Sequence, residues 1–419
     1  MTKPTNSARA LSKTIAAIAA ATPATSFVSE PGTLPDFLRD EGCTSAAPMA
    51  QPVRVPLVPE GILRRHHAFI STDTRFRSAA RLLAAYWRED QGIPIGFHVT
   101  DEPKPKHIKL GSRLRLDAAR AGQNFISSEV FDLVRHSLML REEGAMIDED
   151  RLYSNALSSM PLCFNLLGPL ALDLDLATKV FAAVLPGFVQ TVERIDFETS
   201  PGRRDPRFLD DGTALDAALQ VITPDGEPAT VFIEVKYSEG MSGPVARHRP
   251  RYDEASREVR LYRDPDAMVL RSTALEQLWR EHMMVQRAVD LGVVGKALFI
   301  GIGPRLNRRV QGAFKAYQAE LANPEPKDDV DRVGFMSVTI ETIIEAMAMA
   351  GAVSPARKLW DRYCDFGRVL FWAMTPPPPA TVPPAANDNP TTAAAKVRRT
   401  VAGTIDQVTS TAASDAKAA

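Results

Sequence analysis

The sequence predicts an α/β protein with a mixed β-sheet, preceded by a mainly helical region and flanked by disordered ends. Strand-like and helix-like apolar patterns alternate after Leu172, helical spacing dominates before it, and both ends are rich in Ala, Thr, Pro and Ser. The predicted segments are a disordered tail over 1–55, a mainly helical region over 56–171, the α/β domain over 172–372 and a second disordered tail over 373–419.

The mainly helical region starts with apolar residues at helical spacing between Phe76 and Glu89. Ser127 is a favourable N-cap residue and predicts a second helix that runs to Glu143. Asp148 predicts the start of a shorter helix for the same reason. The histidines of this region show no metal-ligand spacing, so we predict no catalytic chemistry here.

The α/β domain alternates helices and strands along the chain, which predicts one mixed sheet with helices packed on it. The predicted helices are Leu174–Leu185, Thr273–Leu291 and Arg308–Leu321, with two more that start at Glu341 and Ser354. The predicted strands are Phe188–Phe197, Thr213–Thr223, Ala229–Tyr237, Ala297–Ile302 and Gly334–Ile340.

The composition is that of a soluble globular protein with little overall charge. The 419 residues carry a net charge of −1, and 45% of them are hydrophobic. No stretch is apolar over the roughly 18 residues that a membrane helix needs, so we expect no membrane partner. The three cysteines, Cys43, Cys163 and Cys364, lie far apart and form no CxxC pair, which favours a reducing cytoplasm over disulfides or a zinc site.

The most informative stretch is a predicted β-hairpin that turns at Pro224–Gly226. Asp216 lies nine positions before Asp225 and Glu234 nine positions after it, so a hairpin folded at Asp225 places the two acids opposite each other. Because side chains alternate along a strand, Asp216, Glu234 and Lys236 share one face, which we expect to be the solvated side of the sheet. The other face is predicted to be buried and apolar, with Leu215, Ala217, Leu219, Val221, Val231, Ile233 and Val235.

Two carboxylates placed side by side repel each other, and a hard divalent cation such as Mg²⁺ (or Mn²⁺) relieves that repulsion. A cation held there can bind a phosphate oxygen and lower the pKa of a bound water. Lys236 lies beside Glu234, where its ammonium can orient the attacking water and stabilise charge on the phosphate. The pattern therefore predicts metal-dependent phosphodiester hydrolysis.

The arrangement resembles the PD-(D/E)XK nuclease superfamily, whose restriction-endonuclease-like core has the element order αβββαβ. The resemblance covers Leu174–Pro304 and implies a nuclease. Asp216, Glu234 and Lys236 match the motif, although Leu215 stands where the motif has its proline. By this resemblance, the two acids bind the metal and the lysine positions the water.

The resemblance also implies roles for residues around the motif. The carbonyl of Val235 is a further metal ligand. The upstream acid of the family is assigned to Glu198, which ends the first strand of the domain, with Glu193 as the next choice. Gln277, on the helix after the motif, is assigned a supporting role.

DNA is the substrate that the resemblance implies, and arginines near the hairpin are candidates to hold its phosphates. Arg203, Arg204 and Arg207 lie in the loop between the first two strands of the domain, and Arg247 follows the hairpin. Each of these arginines is alternatively a solvated surface residue. The same two interpretations apply to Arg249 and Arg251, and to Arg305, Arg308 and Arg309.

Two other functions stay open at this stage. A catalytically inactive module with the same fold would serve as a nucleic-acid-binding or assembly protein; the near-neutral charge favours it and the complete Asp/Glu/Lys set opposes it. A different α/β enzyme acting on a small phosphorylated molecule would need a closed pocket instead of an open cleft.

Overall fold

The computed structural model describes residues 35–38, 51–100, 103–145, 147–243, 245–325 and 331–375. Most of the two predicted tails, 1–55 and 373–419, lies outside the described residues, as does Cys43. The disorder of these tails therefore stays a prediction.

The region before the sheet is mainly helical, as expected, but it also contains a β-hairpin that the sequence analysis missed. Strands β1 (Ile95–Val99) and β2 (His107–Leu114) pair antiparallel. Side chains on both faces of these strands are exposed. The sequence therefore lacks the alternation of apolar and polar residues that predicts a half-buried strand. The helices of this region are α1 (Glu60–Arg65), α2 (Arg75–Asp90), α3 (Leu116–Arg120), α4 (Ser128–Met139), α5 (Glu149–Ser154) and α6 (Ser159–Leu172).

Helix α6 was also missed by the sequence analysis, because most of its side chains are buried and no single apolar face marks it. The two predicted helix starts are confirmed. Ser127 accepts a hydrogen bond from the backbone N–H of Val130, and Asp148 accepts one from that of Arg151.

Helix α4 ends at Met139, before the predicted end at Glu143. Glu142 lies just beyond the end of the helix and makes contacts outside it. Its carboxylate accepts hydrogen bonds from the Thr199 hydroxyl and the Ser200 backbone N–H, at 2.9 and 3.1 Å. These contacts connect the end of the helical region to the start of the loop that contains Arg203, Arg204 and Arg207.

The second part of the chain forms a five-stranded mixed sheet with the strand order β3-β4-β5-β6-β7. The first three strands run antiparallel, whereas β5, β6 and β7 are parallel, so the predicted α/β class and αβββαβ order are confirmed. The strands are β3 (Thr191–Thr199), β4 (Leu215–Ile222), β5 (Pro228–Val235), β6 (Ala297–Gly303) and β7 (Gly334–Thr339). The helices are α7 (Leu174–Val184), α8 (Pro250–Glu258), α9 (Glu276–Asp290), α10 (Arg308–Glu320), α11 (Ile340–Met349), α12 (Val353–Tyr363) and α13 (Phe366–Met374).

The hairpin of β4 and β5 has the register that the turn predicts. Ala217 pairs with Ile233, and Ala218 pairs with Phe232, so paired positions are equally distant from the turn. Gly226 adopts a φ of 81°, a left-handed conformation that glycine takes without steric cost. The position of the turn therefore fixes which residues of the two strands face each other.

Hydrophobic cores cover both faces of the sheet. The first core holds Ala217 and Val231 together with residues of α2, α6, α7, α11 and α12, so the helical region packs on the same core as the sheet. The second core holds Ala218 and Phe232 together with residues of α9 and α10. The face that carries the acids is therefore largely covered by helices, contrary to the expectation of one apolar and one solvated face.

Six of the seven predicted apolar residues belong to the first core, and Leu215, at the start of β4, belongs to the second. All seven are buried.

Asn165 connects distant parts of the chain through a fully buried side chain on α6. Its amide nitrogen donates to the Asn124 carbonyl and the Tyr363 hydroxyl at 3.0 and 2.9 Å. Its amide oxygen accepts from the Ile126 backbone N–H at 2.9 Å. One side chain thus holds the turn before α4 against α12.

The substitution Asn165→Leu should destabilise the protein by about 2–4 kcal/mol, because it leaves the buried polar groups around it without partners. Urea unfolding followed by circular dichroism measures the change. A midpoint equal to that of the wild type would show that these hydrogen bonds add nothing to the connection between α6 and α12.

Candidate active site

Asp216 and Glu234 lie beside each other on the paired strands β4 and β5. Continuing the observed register by one residue beyond Ala217 and Ile233 puts the two acids opposite each other. The Asp216 Oδ2 accepts a hydrogen bond from the Val235 backbone N–H at 2.7 Å, which fixes the aspartate against the neighbouring strand. Burial and the negative charge of Glu234 raise the pKa of Asp216 well above its usual range.

Lys236 completes the predicted set, and its ammonium donates a hydrogen bond to Glu234. Both side chains are almost enclosed, with 3% of Glu234 and 6% of Lys236 exposed. Burial by itself lowers the pKa of Lys236. The negative charges of nearby carboxylates, above all Glu234, outweigh this effect and raise the pKa above its ordinary value. Lys236 is therefore a fixed positive charge within the cluster.

Gln277 extends from α9 over this cluster and contacts both charged residues of β5. Its amide oxygen accepts from the Lys236 Nζ at 2.7 Å, and its amide nitrogen donates to Glu234 Oε1 at 2.8 Å. The same nitrogen donates to Glu281 Oε1 at 2.7 Å. With an ammonium on one side and carboxylates on the other, only one orientation of the amide satisfies every partner.

Glu281 belongs to the network but was not singled out in the sequence analysis. It is buried, and among the described residues its Oε2 has no hydrogen-bond partner. Burial and the charge of Glu234 raise its pKa well above the ordinary value. The signal was available in the sequence, since Gln277 and Glu281 are four residues apart on a predicted helix and thus share a face.

Glu198 lies near the end of β3 with a φ of 51°, a backbone conformation that L-residues seldom adopt. Burial raises the pKa of its carboxyl to about 7; Arg203 opposes this shift, and the charge of Glu234 adds to it. Because Phe197 pairs with Ala217 and Thr199 pairs with Leu215, the register of β3 with β4 puts Glu198 opposite Asp216. Glu193, the second choice for an upstream acid, is exposed on the same strand.

The candidate phosphate-binding arginines differ in how much of their side chains is available. The side chain of Arg203 is 7% exposed. Its guanidinium donates to Glu142 at 3.1 Å and to the Glu198 carbonyl at 3.4 Å. Arg204 and Arg247 are exposed. Arg207 is also exposed, and it pairs with its neighbour Asp205 at 2.7 Å.

Asp216 and Glu234 offer carboxylate oxygens, the donors that hard divalent cations prefer. In the described part of the chain, no group of three or more His, Cys, Asp and Glu side chains is arranged to hold a metal ion. Mg²⁺, however, is usually held by only one or two carboxylates and keeps several waters. No described residue donates a hydrogen bond to Asp216 Oδ1 or Glu234 Oε2, so one oxygen of each acid is left for a hard cation. The pair fits Mg²⁺ or Mn²⁺.

The fold and this cluster together define a nuclease-like α/β protein. A family model described as the PD-(D/E)XK nuclease superfamily matches residues 71–365. The match covers more than half of the chain and includes both the helical region and the sheet, so the chain belongs to the PD-(D/E)XK nuclease superfamily. No curated protein and no solved structure matches it.

Two expectations from composition concern the environment of the protein. Every helix in the described ranges is too short or too polar to traverse a lipid bilayer. Cys163 and Cys364 are free thiols, both buried.

The substitution Glu198→Gln should remove a dependence of stability on pH. Because the pKa of Glu198 is about 7 in the folded protein and about 4.5 when unfolded, the folded state retains a proton that the unfolded state loses between these values. This group therefore lowers stability as the pH rises from 4.5 to 7. The variant should gain up to a few kcal/mol over the wild type above pH 7 and almost nothing below pH 4.5.

Urea unfolding at pH 4.5, 6 and 8 measures this difference, and Glu193→Gln on the same strand is the matched control, because that side chain is exposed. A difference between Glu198→Gln and the wild type that is independent of pH would disprove the buried, proton-holding state of Glu198.

Proposed function

We propose that this protein is a metal-dependent nuclease that hydrolyses phosphodiester bonds in DNA. The observation that carries the proposal is the hydrogen-bonded cluster of Asp216, Glu234, Lys236 and Gln277 within a fold of the PD-(D/E)XK nuclease superfamily. Membership in the superfamily supports nuclease chemistry in general. The choice of DNA and Mg²⁺ is part of the proposal.

Asp216 and Glu234 would hold the Mg²⁺ or Mn²⁺ through their remaining oxygens, with the carbonyl of Val235 as a further ligand. When bound there, such a cation supplies Lewis acidity toward the phosphate and lowers the pKa of a water. Lys236 provides a permanent positive charge that attracts the scissile phosphate and orients the attacking water. Gln277 holds the Lys236 ammonium and the Glu234 carboxylate at fixed positions relative to each other.

Glu198 is the proposed third acid of the site. A carboxyl whose pKa is about 7 can accept a proton near neutral pH, which suits a general base for the attacking water. Arg203 contacts its backbone carbonyl and Glu142, so we assign Arg203 to holding this loop and not to binding phosphate. The exposed Arg204 and Arg247 are the proposed contacts to the DNA backbone.

The proposed nuclease domain spans 172–372, with the helical region 56–171 packed on its first core. We propose a cytoplasmic location, because the described cysteines are free and buried.

A catalytically inactive nucleic-acid-binding or assembly module is the second candidate function. The contact that favours it is the one between the Lys236 ammonium and Glu234, which occupies an oxygen of a proposed metal ligand. The two candidates differ in a single measurable property, the turnover of DNA in the presence of a divalent cation.

Cleavage of plasmid and linear DNA should require Mg²⁺ or Mn²⁺ and should fall roughly 10²–10³-fold or more in Asp216→Asn and in Lys236→Met. The matched controls are Asp175→Asn and Lys179→Met, because both residues are exposed on α7. Gel assays with and without EDTA measure the rates. A wild type that cleaves no substrate with either metal, or variants that cleave as fast as the controls, would favour the inactive module.

The substitution Gln277→Leu should lower kcat roughly 10–100-fold, as is typical for residues that hold the ligands and charged groups of a metal site. KM should change little, because Gln277 is proposed to orient protein groups and not to contact DNA. Steady-state kinetics on an oligonucleotide measure both constants.

Gln286→Leu is the control for this experiment. Gln286 lies on the same helix; it is buried, whereas Gln277 is exposed, and it bonds to the backbone of Asp331 and Val333 instead of the acidic cluster. The Gln286→Leu variant should be less stable than the wild type and keep the wild-type kcat. Equal kcat losses in the two variants would mean that Gln277 acts only by holding α9 in place.

A further inference from the structure

A cavity with both charged and apolar walls lies outside the acidic cluster, at the carboxyl ends of the parallel strands. It has a volume of about 120 Å³. Its charged wall consists of Arg54, Arg305, Arg308 and Glu341, and its apolar wall includes Trp360. Arg305 and Arg308 belong to an arginine group that the proposed function does not use.

The strand topology puts this cavity close to the acidic cluster. Arg305 follows the carboxyl end of β6, and Glu341 follows that of β7, while Glu234 lies at the carboxyl end of β5. In open α/β sheets, ligands bind beyond these ends. Neighbouring strands are about 5 Å apart, so the cavity begins roughly 5–10 Å from β5.

Tyr237, the residue after Lys236, connects the two places directly. Its carbonyl accepts a hydrogen bond from Asn307, which lies between the two cavity arginines Arg305 and Arg308, at 2.9 Å. Its hydroxyl donates to the carbonyl of Tyr363 at 3.2 Å, next to the cavity-lining Cys364. The side chain of Tyr237 is buried in the first core, as are Trp360 and Cys364 of the cavity wall, so Tyr237 lies between the acidic cluster on one face of the sheet and the cavity beside the other.

The charge of the cavity favours an anion. Three arginines and one carboxylate line the cavity. Arg305 also pairs with the buried Glu345 at 3.9 Å, and Glu341 directs both of its oxygens to the backbone N–H of Arg305, at 3.0 and 3.3 Å. Arg54 and Arg308 are exposed, and their side chains make no hydrogen bond or ion pair within the described part of the chain. Arg308 is also the first residue of α10, where the helix dipole adds positive partial charge.

The cavity is large enough for a small anion. Its volume of 120 Å³ is roughly ten times the 10–15 Å³ that a single water needs on the same measure. A phosphate group fits such a space. Arginine is well suited to a phosphate, because its guanidinium donates in a fork that matches two phosphate oxygens.

We propose that this cavity binds a phosphate group of the DNA strand whose neighbouring phosphodiester lies at the acidic cluster. The inference rests on the proposed nuclease function and specifies how that site holds its substrate. Successive nucleotides of a strand rise by about 3.4 Å, so a phosphate in the cavity is within a few nucleotides of Glu234. Both a terminal and an internal phosphate have the required chemistry.

The test uses the full-length protein and Arg54→Ala/Arg308→Ala, with Arg120→Ala as the matched control, because Arg120 is an exposed arginine on α3, which packs on a separate small core. Inorganic phosphate, at constant ionic strength, should raise the melting temperature of the wild type and the control but not that of the double variant. Arg54→Lys/Arg308→Lys should recover part of the effect, which separates loss of charge from misfolding.

Equilibrium binding of short DNA in EDTA provides the second readout, and it does not depend on cleavage. The double variant should raise Kd roughly tenfold and reduce the slope of log Kd against log salt by about 1. Oligonucleotides with 5′-phosphate, 3′-phosphate or hydroxyl ends separate the sources. A preference for one phosphorylated end that the double variant loses assigns the cavity to a strand end, and equal weakening for all ends assigns it to an internal phosphate.

Equal phosphate effects on the melting temperatures of the wild type and the double variant would overturn the cavity as an anion site. Phosphate binding that is lost without any change in the Kd for DNA would overturn its role in holding the substrate. A protein that binds DNA through these arginines but never cleaves it would leave the cavity assigned and refute only the proposed nuclease activity.

Discussion

The pairing of β4 with β5 is the constraint on which the rest of this protein depends. A tight turn with Gly226 in a left-handed conformation fixes the register, and the register puts Asp216 and Glu234 side by side. The helices on this face remove water from the acids, which raises the pKa of Asp216 and makes the repulsion between them costly. Lys236 and the amide of Gln277 offset part of this cost, and a divalent cation would offset more.

The two layers of helices have different functions around this hairpin. The layer that contains α9 brings Gln277 and Glu281 to the acids, whereas the other layer, with α6, α7, α11 and α12, provides the larger core. The helical region also reaches the site, because Glu142 accepts hydrogen bonds from Thr199, Ser200 and Arg203 beside Glu198. The superfamily match starts at residue 71 and therefore includes this region.

Local patterns predicted the hairpin well, because a turn and the alternation of side chains suffice to place Asp216 opposite Glu234. The same patterns failed for α6, which is buried all round, and for β1 and β2, whose exposed side chains hide the alternation. The sequence could not predict that α9 and α10 cover the acid-bearing face, because this covering depends on tertiary packing. The enclosure of Arg203 and the contribution of Glu281 depend on the same packing.

A crystal structure of the protein soaked with Mn²⁺, with anomalous data, addresses the acidic pair itself. We expect an anomalous peak at about 2.0–2.4 Å from one oxygen each of Asp216 and Glu234, and no peak there in Asp216→Asn crystals. A wild-type crystal in which the two carboxylates lie apart, or in which Mn²⁺ binds elsewhere and leaves Lys236 as the sole cation beside Glu234, would contradict metal-dependent catalysis at this hairpin.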